Sequence, residues 1–249
     1  MVLNVALAHR GYAEVRENLT LLANGQPLQY RELPDAHGGR LMAFDLIDSS
    51  EVLMEYWAEV DGFAAPETSS ETDLIRYVRP SRYCESDRLL PTSYAEFPGL
   101  RGIALVAAIR NWVAQELRYV SGSSRGTDGA VETLLARRGV CRDFAHLAIS
   151  LLRAKAIPAR LAAVYAPGLA PMDFHAIAEA WVDGQWFALD ATGMAPRASM
   201  LRISTGRDAS DTAFLSTVGG ALTLKEIKVS ATSAGELPVE DAAELITLH

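Results

Sequence analysis

Apolar and polar positions alternate with a period of two in the first part of the chain and follow helical spacing through its middle. Residues 2–7, 41–47 and 52–60 are predicted strands. Asn24-Gly25 and Gly38-Gly39 supply turns, and Asp48-Ser49-Ser50 joins the last two strands as a hairpin. Residues 64–72 (AAPETSSET) are small and polar, contain Pro66 and make a linker. A short helix over 73–78 and a polar loop over 79–90 follow. Residues 99–119 then place Ile103, Val106, Trp112, Val113 and Leu117 on one helical stripe. Residues 131–138 predict a further helix with Gly139 as its stop. Residues 141–155 predict another, with Phe144, Leu147, Ala148, Leu151 and Leu152 at helical spacing and Pro158 beyond its end. Residues 161–165, 173–182 and 185–190 read as strands, the last two split by Asp183-Gly184. Residues 203–208 are a strand running into a loop, and 222–229 alternate as a half-exposed strand. The acidic end of the chain is predicted to be a loose tail. The expected division is a β-rich unit over 1–72, a core over 73–230 and an acidic tail over 231–249.

Candidate chemistry begins at Cys141. It falls in the first turn of its helix, where unpaired backbone N–H groups and the helix dipole favour an anion. The thiolate is the form of cysteine that attacks electrophiles. Asp-Gly between two strands is a two-residue hairpin signal, which sets Val182 opposite Gln185. Ile177 then faces Asp190, and His175 faces Thr192. Asp190 becomes the diagonal neighbour of His175 on one face, within reach of long side chains. A three-residue loop would turn Asp190 to the opposite face. Ala176, Ala178, Ala180 and Val182 form the other face, small enough for the helix that begins at Cys141 to pack closely. A cysteine, a histidine and an aspartate so placed make a nucleophile, its base and the group that orients the base.

Other candidates carry less chemistry. The backbone N–H of Cys141 is the natural first donor to an oxyanion, and Tyr119, just before a flexible loop, is the candidate side-chain donor. His146 lies about 140° around the helix from Cys141 and reads as structural. His9 and His37 read as solvated, and Asp208 and Asp211 as solvated loop carboxylates. Cys84 has no evident base and reads as a free thiol. Residues 121–126 (SGSSRG) lack the Gly-Lys-Ser/Thr ending of a phosphate-binding loop.

Composition narrows the classes. In 249 residues, 49% are hydrophobic and 22% charged, which is globular and long enough for a sizeable core. A net charge of −8 argues against a nucleic-acid or anionic-membrane partner. No apolar run reaches membrane-spanning length, and no secretory signal is visible. Two cysteines make no disulfide framework and fit a reducing cytoplasm. Without paired Cys-x-x-Cys or His-x-x-x-His motifs, no metal is expected, nor any other cofactor.

Gly139-Val140-Cys141-Arg142-Asp143-Phe144-Ala145-His146, Ile157-Pro158-Ala159-Arg160, Asp173-Phe174-His175-Ala176 and the hairpin ending Leu189-Asp190-Ala191-Thr192-Gly193 resemble the bacterial transglutaminase-like family. The resemblance covers roughly residues 75–220 and takes in Arg79-Pro80-Ser81-Arg82-Tyr83-Cys84 and Arg207-Asp208-Ala209-Ser210-Asp211. It implies an α+β fold: a papain-like core in which a helix carrying the cysteine packs on an antiparallel sheet, here preceded by a small β-rich N-terminal domain. It also implies a catalytic set of Cys141, His175 and Asp190. Many members carry Trp where this chain has Ile177, a departure that bears on substrate preference. The expected activity is cysteine-dependent acyl transfer on a protein or peptide, by hydrolysis of a peptide or isopeptide bond or by transamidation. A binding or assembly module without turnover is the alternative. A redox sensor through Cys141 and Cys84 is a third reading, and it requires the two to approach disulfide distance. Oligomeric state is left open.

Overall fold

A computed structural model describes residues 1–46, 51–65, 68–241 and 244–248. The expected Asp48-Ser49-Ser50 hairpin and Pro66 of the expected linker lie outside these residues. The elements in chain order are β1 (Val2–Leu3), β2 (Tyr12–Ala23), β3 (Gln26–Pro27), β4 (Arg31–Pro34), β5 (Arg40–Ala43) and β6 (Val52–Phe63). Then come α1 (Glu71–Val78), α2 (Leu90–Glu96), α3 (Gly102–Glu116), β7 (Arg118–Tyr119), α4 (Ala130–Ala136), β8 (Arg138–Gly139) and α5 (Cys141–Ala154). The chain closes with β9 (Ala159–Tyr165), β10 (His175–Val182), β11 (Gln185–Leu189), β12 (Leu201–Gly206) and β13 (Leu215–Ser216).

The fold is α+β, built around α5. From Asp143 to Ala154 every residue of this helix is buried. A helix enclosed on all sides has to be largely apolar, which Phe144, Leu147, Ile149, Leu151 and Leu152 provide. One side packs on an antiparallel sheet of order β11-β10-β9-β12. There α5 meets Ala178 and Ala180 of β10, whose missing side-chain bulk allows the close approach, and Leu161 of β9. Helices α3 and α4 cover its other sides. The opposite face of the sheet carries Ala162, Val164, Ile177 and Ala188, covered by Leu169, Met200 and Leu248. No helix among the described residues is long and apolar enough to cross a membrane.

Buried in this sheet, Glu179 accepts hydrogen bonds from Arg160 Nε at 2.7 Å and from Arg202 Nη1 and Nη2 at 2.6 and 2.8 Å. Arg160 also stacks on Trp186, 4.2 Å from the ring centroid.

One expected strand is corrected here, and contacts join both outer segments to the core. Residues 1–72 are β-rich and make contacts with the core. β1 lies between β5 and β13, so the first and last strands share one sheet. Tyr12 Oη donates to Arg202 O at 2.9 Å, and Tyr165 Oη to Val5 O at 2.8 Å. A Cβ on Gly39 would lie 2.9 Å from Ser204 Cβ, so the contact tolerates no larger residue. Residues 222–229 form no strand; their alternation finds no neighbouring backbone among the described residues. Within the acidic tail, Glu240, Asp241, Ile246 and Leu248 are held against the core. Arg197 binds Glu240 and the Asp241 carbonyl at 3.1 and 3.0 Å, and Ala188 N donates to Ile246 O at 2.7 Å. Leu248 is buried against the back of the sheet. Leu248→Ala is expected to lower unfolding stability by about 2 kcal/mol in urea titration. A midpoint unchanged from wild type would mean that the segment contributes no packing.

Candidate active site

The site forms where α5 begins. Val140, its N-cap, has no oxygen in its side chain to cap the helix. The reciprocal bond is made by Asp143, whose Oδ2 accepts from Val140 N at 2.8 Å. Val140 O accepts from the amides of Asp143 and Phe144, so the amide of Cys141 keeps no intrahelical acceptor. Gly139 does not stop the preceding helix, as its sequence position suggests; α4 ends at Arg137, in the left-handed region at φ 53°. Gly139 is required instead by close approach, since a Cβ there would fall 2.6 Å from Asp143 Cβ.

Residues 118–119 leave the expected long helix to form β7, which pairs in parallel with β8. Tyr119 thereby stands opposite Gly139, two residues before Cys141. Burial pushes the Tyr119 phenol up, the Cys141 charge adds to this, and a hydrogen bond from the Cys141 backbone opposes it. The phenol is therefore beside the nucleophile candidate.

The β10–β11 register is that of a two-residue turn, with Val182 opposite Gln185 and Ala178 opposite Leu189. Asp183 and Gly184 both have positive φ, 50° and 84°, the conformation this turn demands. His175 Nε2 lies 2.8 Å from Asp190 Oδ2, and the two side chains are 1% and 2% exposed. Cys141 is the second group that acts on this ring, and both its hydrogen bonding and its charge favour the protonated imidazole. Burial pulls the His175 pKa down, but the bonds to Asp190 and Cys141 and their charges outweigh it, and it is pushed up to about 10. Burial raises Asp190, but His175 and Thr192 together hold it below the usual carboxylate range.

Two supporting groups were not read from the sequence. Thr192 donates to Asp190 Oδ1 from N at 2.8 Å and from Oγ1 at 2.7 Å, so both carboxylate oxygens are engaged. The available signal was spacing, because such side chains bond backbone two residues on. Arg110 of α3 donates to Asp190 O at 3.2 Å, a tertiary contact with no local signal.

The remaining candidates do not join the site. Cys84 is wholly buried and its thiol is pushed up to about 12 by that burial, whereas Cys141 is half-buried. An inert Cys84 argues against the redox reading. His146 is buried, accepts from Ala209 N at 3.1 Å and stacks on Tyr83, and burial lowers it to about 3. His37 is not solvated: its Nδ1 lies 2.7 Å from Tyr77 Oη and its Nε2 3.5 Å from Asp211. Exposed His9 pairs with Glu32 at 2.8 Å. Asp208 is buried rather than solvated and accepts from Tyr83 N at 3.0 Å and Ser210 N at 2.9 Å. Asp211 holds Arg207. Among the described residues no cluster of metal-ligating side chains occurs.

Residues 100–191, which hold Tyr119, Cys141, His175 and Asp190, match the transglutaminase-like superfamily. A solved structure from Cytophaga hutchinsonii, a proposed cysteine protease, is 35% identical, with 86% of this chain and 78% of that one covered and a TM-score of 0.73. The chain belongs to the transglutaminase-like superfamily. Two curated relatives are uncharacterized. A Mycobacterium leprae protein is 31% identical over 121 residues, 44% of this chain and 42% of its own length. A Mycobacterium bovis protein is 37% identical over 109 residues, 35% and 33% of the respective lengths. The chain thus spans less than half the length of the curated relatives it matches. Within this transglutaminase-like core, Ile177 is buried in one apolar cluster with Leu248. The chain therefore comes from a cysteine-based enzyme family with the core expected for it.

Proposed function

We propose that the protein is a cysteine-dependent acyl-transfer enzyme that hydrolyses a peptide or isopeptide bond through a thioester on Cys141. The observation that carries this reading is a buried His175 held by Asp190 at 2.8 Å, with Cys141 the other group that favours its protonated form. Sγ of Cys141 attacks the carbonyl carbon, and the developing oxyanion meets the Cys141 amide, with Tyr119 as the adjacent side-chain donor. As the C–N bond breaks, His175 gives its proton to the departing amine. His175 then takes a proton from water as the water attacks the thioester, and the acid leaves from a restored thiol. Asp190, fixed by Thr192, holds the ring in one tautomer and stabilises the imidazolium. An amine in place of water gives transamidation at the same step.

The test is incubation with a peptide library, including isopeptide-linked members, in ¹⁸O-labelled water with and without a primary amine. Products are read by mass spectrometry against Cys141→Ala. Label in the new carboxylate marks hydrolysis, and amine adducts mark transfer. If neither product exceeds the Cys141→Ala background, the acyl-transfer reading fails and a module without turnover replaces it.

A further inference from the structure

Two segments outside the candidate active site, residues 79–84 and 207–211, meet at the far end of α5. Between them and α1 lies a cavity of about 360 Å³ lined by Thr72, Ile75, Arg76, Arg79, Pro80 and Arg207. Three arginines share this one cavity in a chain of net charge −8. Gathering like charges is unfavourable unless counter-charge is supplied. Asp73 supplies it to Arg76 at 2.8 Å, and Asp211 to Arg207 at 2.8 and 2.9 Å. Arg79 is exposed and has no ion pair among the described residues. Set against Asp73 and Asp211, the three guanidinium groups leave one net positive charge. That balance matches a single carboxylate better than a doubly charged phosphoryl group.

The site is held in shape from below. Buried Arg153, in the last turn of α5, donates to Arg79 O at 3.1 Å, Ser81 Oγ at 3.0 Å and Arg207 O at 2.6 Å. One guanidinium therefore ties together both segments that carry the outward-facing arginines. Such preorganisation lowers the ordering cost of binding. Ile75, 53% exposed, and Pro80 give the cavity an apolar wall. Arg153 lies about 18 Å along α5 from Cys141 by helical rise, so the cavity is separate from the thiol.

We propose that this cavity binds the carboxylate of an acidic peptide segment. Arg79 supplies the free guanidinium, Arg76 and Arg207 flank it, and Ile75 with Pro80 takes the neighbouring aliphatic group. The site does not depend on turnover at Cys141.

The experiment is calorimetry or amide-shift titration on the full chain with four probes: a peptide with blocked ends carrying Glu beside Leu, its Gln counterpart, a peptide whose only carboxylate is its C-terminus, and inorganic phosphate. One or both carboxylate peptides bind, which identifies the carboxylate's source, and the Gln peptide does not. Arg79→Ala, at an exposed position, keeps the wild-type melting curve and weakens binding about tenfold or more. Arg79→Lys restores part of it, and Cys141→Ala binds as wild type does. The proposal is overturned if neither carboxylate peptide binds at millimolar concentration, if phosphate alone binds, or if Arg79→Ala and Arg79→Glu bind like wild type.

Discussion

Cys141→Ala is expected to lower turnover of any accepted amide or ester by about 10⁴-fold or more. Among the described residues the thiol is the nucleophile set beside His175 to form the covalent intermediate, while the Cys141 amide and Tyr119 remain to give slight residual catalysis. Folding should be unaffected, because Cys141 is half-buried at a helix start and alanine suits that position. His175→Ala should cost a similar factor, and the double variant little more than either single one. Groups that act as one unit lose their whole effect when any member is lost. Initial rates on a substrate from the peptide screen, alongside melting curves, check all three. Losses that simply multiply would mean that the two residues do not act as a pair.

The largest expected effect on stability lies at Glu179. Burial alone raises its pKa, but Arg160 and Arg202 outweigh it and lower the value to about 2. Glu179→Gln keeps the shape and removes the negative charge that two buried guanidinium groups face. A loss of about 3–5 kcal/mol is expected, measured by urea unfolding at neutral pH. The sign with pH follows from the lowered value. Glu179 contributes stability above its ordinary pKa of 4.5, and that contribution is lost as pH falls toward 2. The full contribution is about 3 kcal/mol by linkage. Wild type and Glu179→Gln should therefore converge in stability on acidification. A gap that stays constant down to pH of about 2 would contradict the paired carboxylate.

Elements with strong local signals were legible in the sequence. Asp183-Gly184 fixes one turn, the turn fixes the register, and the register brings Asp190 to His175. The apolar run after Cys141 fixes α5. Where partners are distant in sequence, the pattern fails. β2 was missed because residues 13–18 are exposed and largely polar; the strand exists through its pairing with β6. The C-terminal segment looked loose because its composition is acidic, yet Arg197, Ala188 and the back of the sheet hold it. Gly139 looked like a helix stop, although its role is to leave room for Asp143. His37 looked solvated because Tyr77 and Asp211 lie far along the chain. Arg110 escaped for the same reason.

The most direct test of the central claim is the pH dependence of iodoacetamide labelling at Cys141, resolved by site, in wild type and His175→Ala. His175, raised to about 10, holds its proton across the neutral range. A proton on the ring beside Cys141 stabilises the attacking thiolate. Its stabilising contribution is full below its ordinary 6.5 and fades as pH rises through about 10. Labelling in wild type should stay fast well below the ordinary thiol pKa of about 8.5. In His175→Ala the low-pH labelling should disappear and the profile should return to that of a free thiol. Identical profiles in the two proteins, or a Cys141 that does not label, would contradict a paired nucleophile at this site.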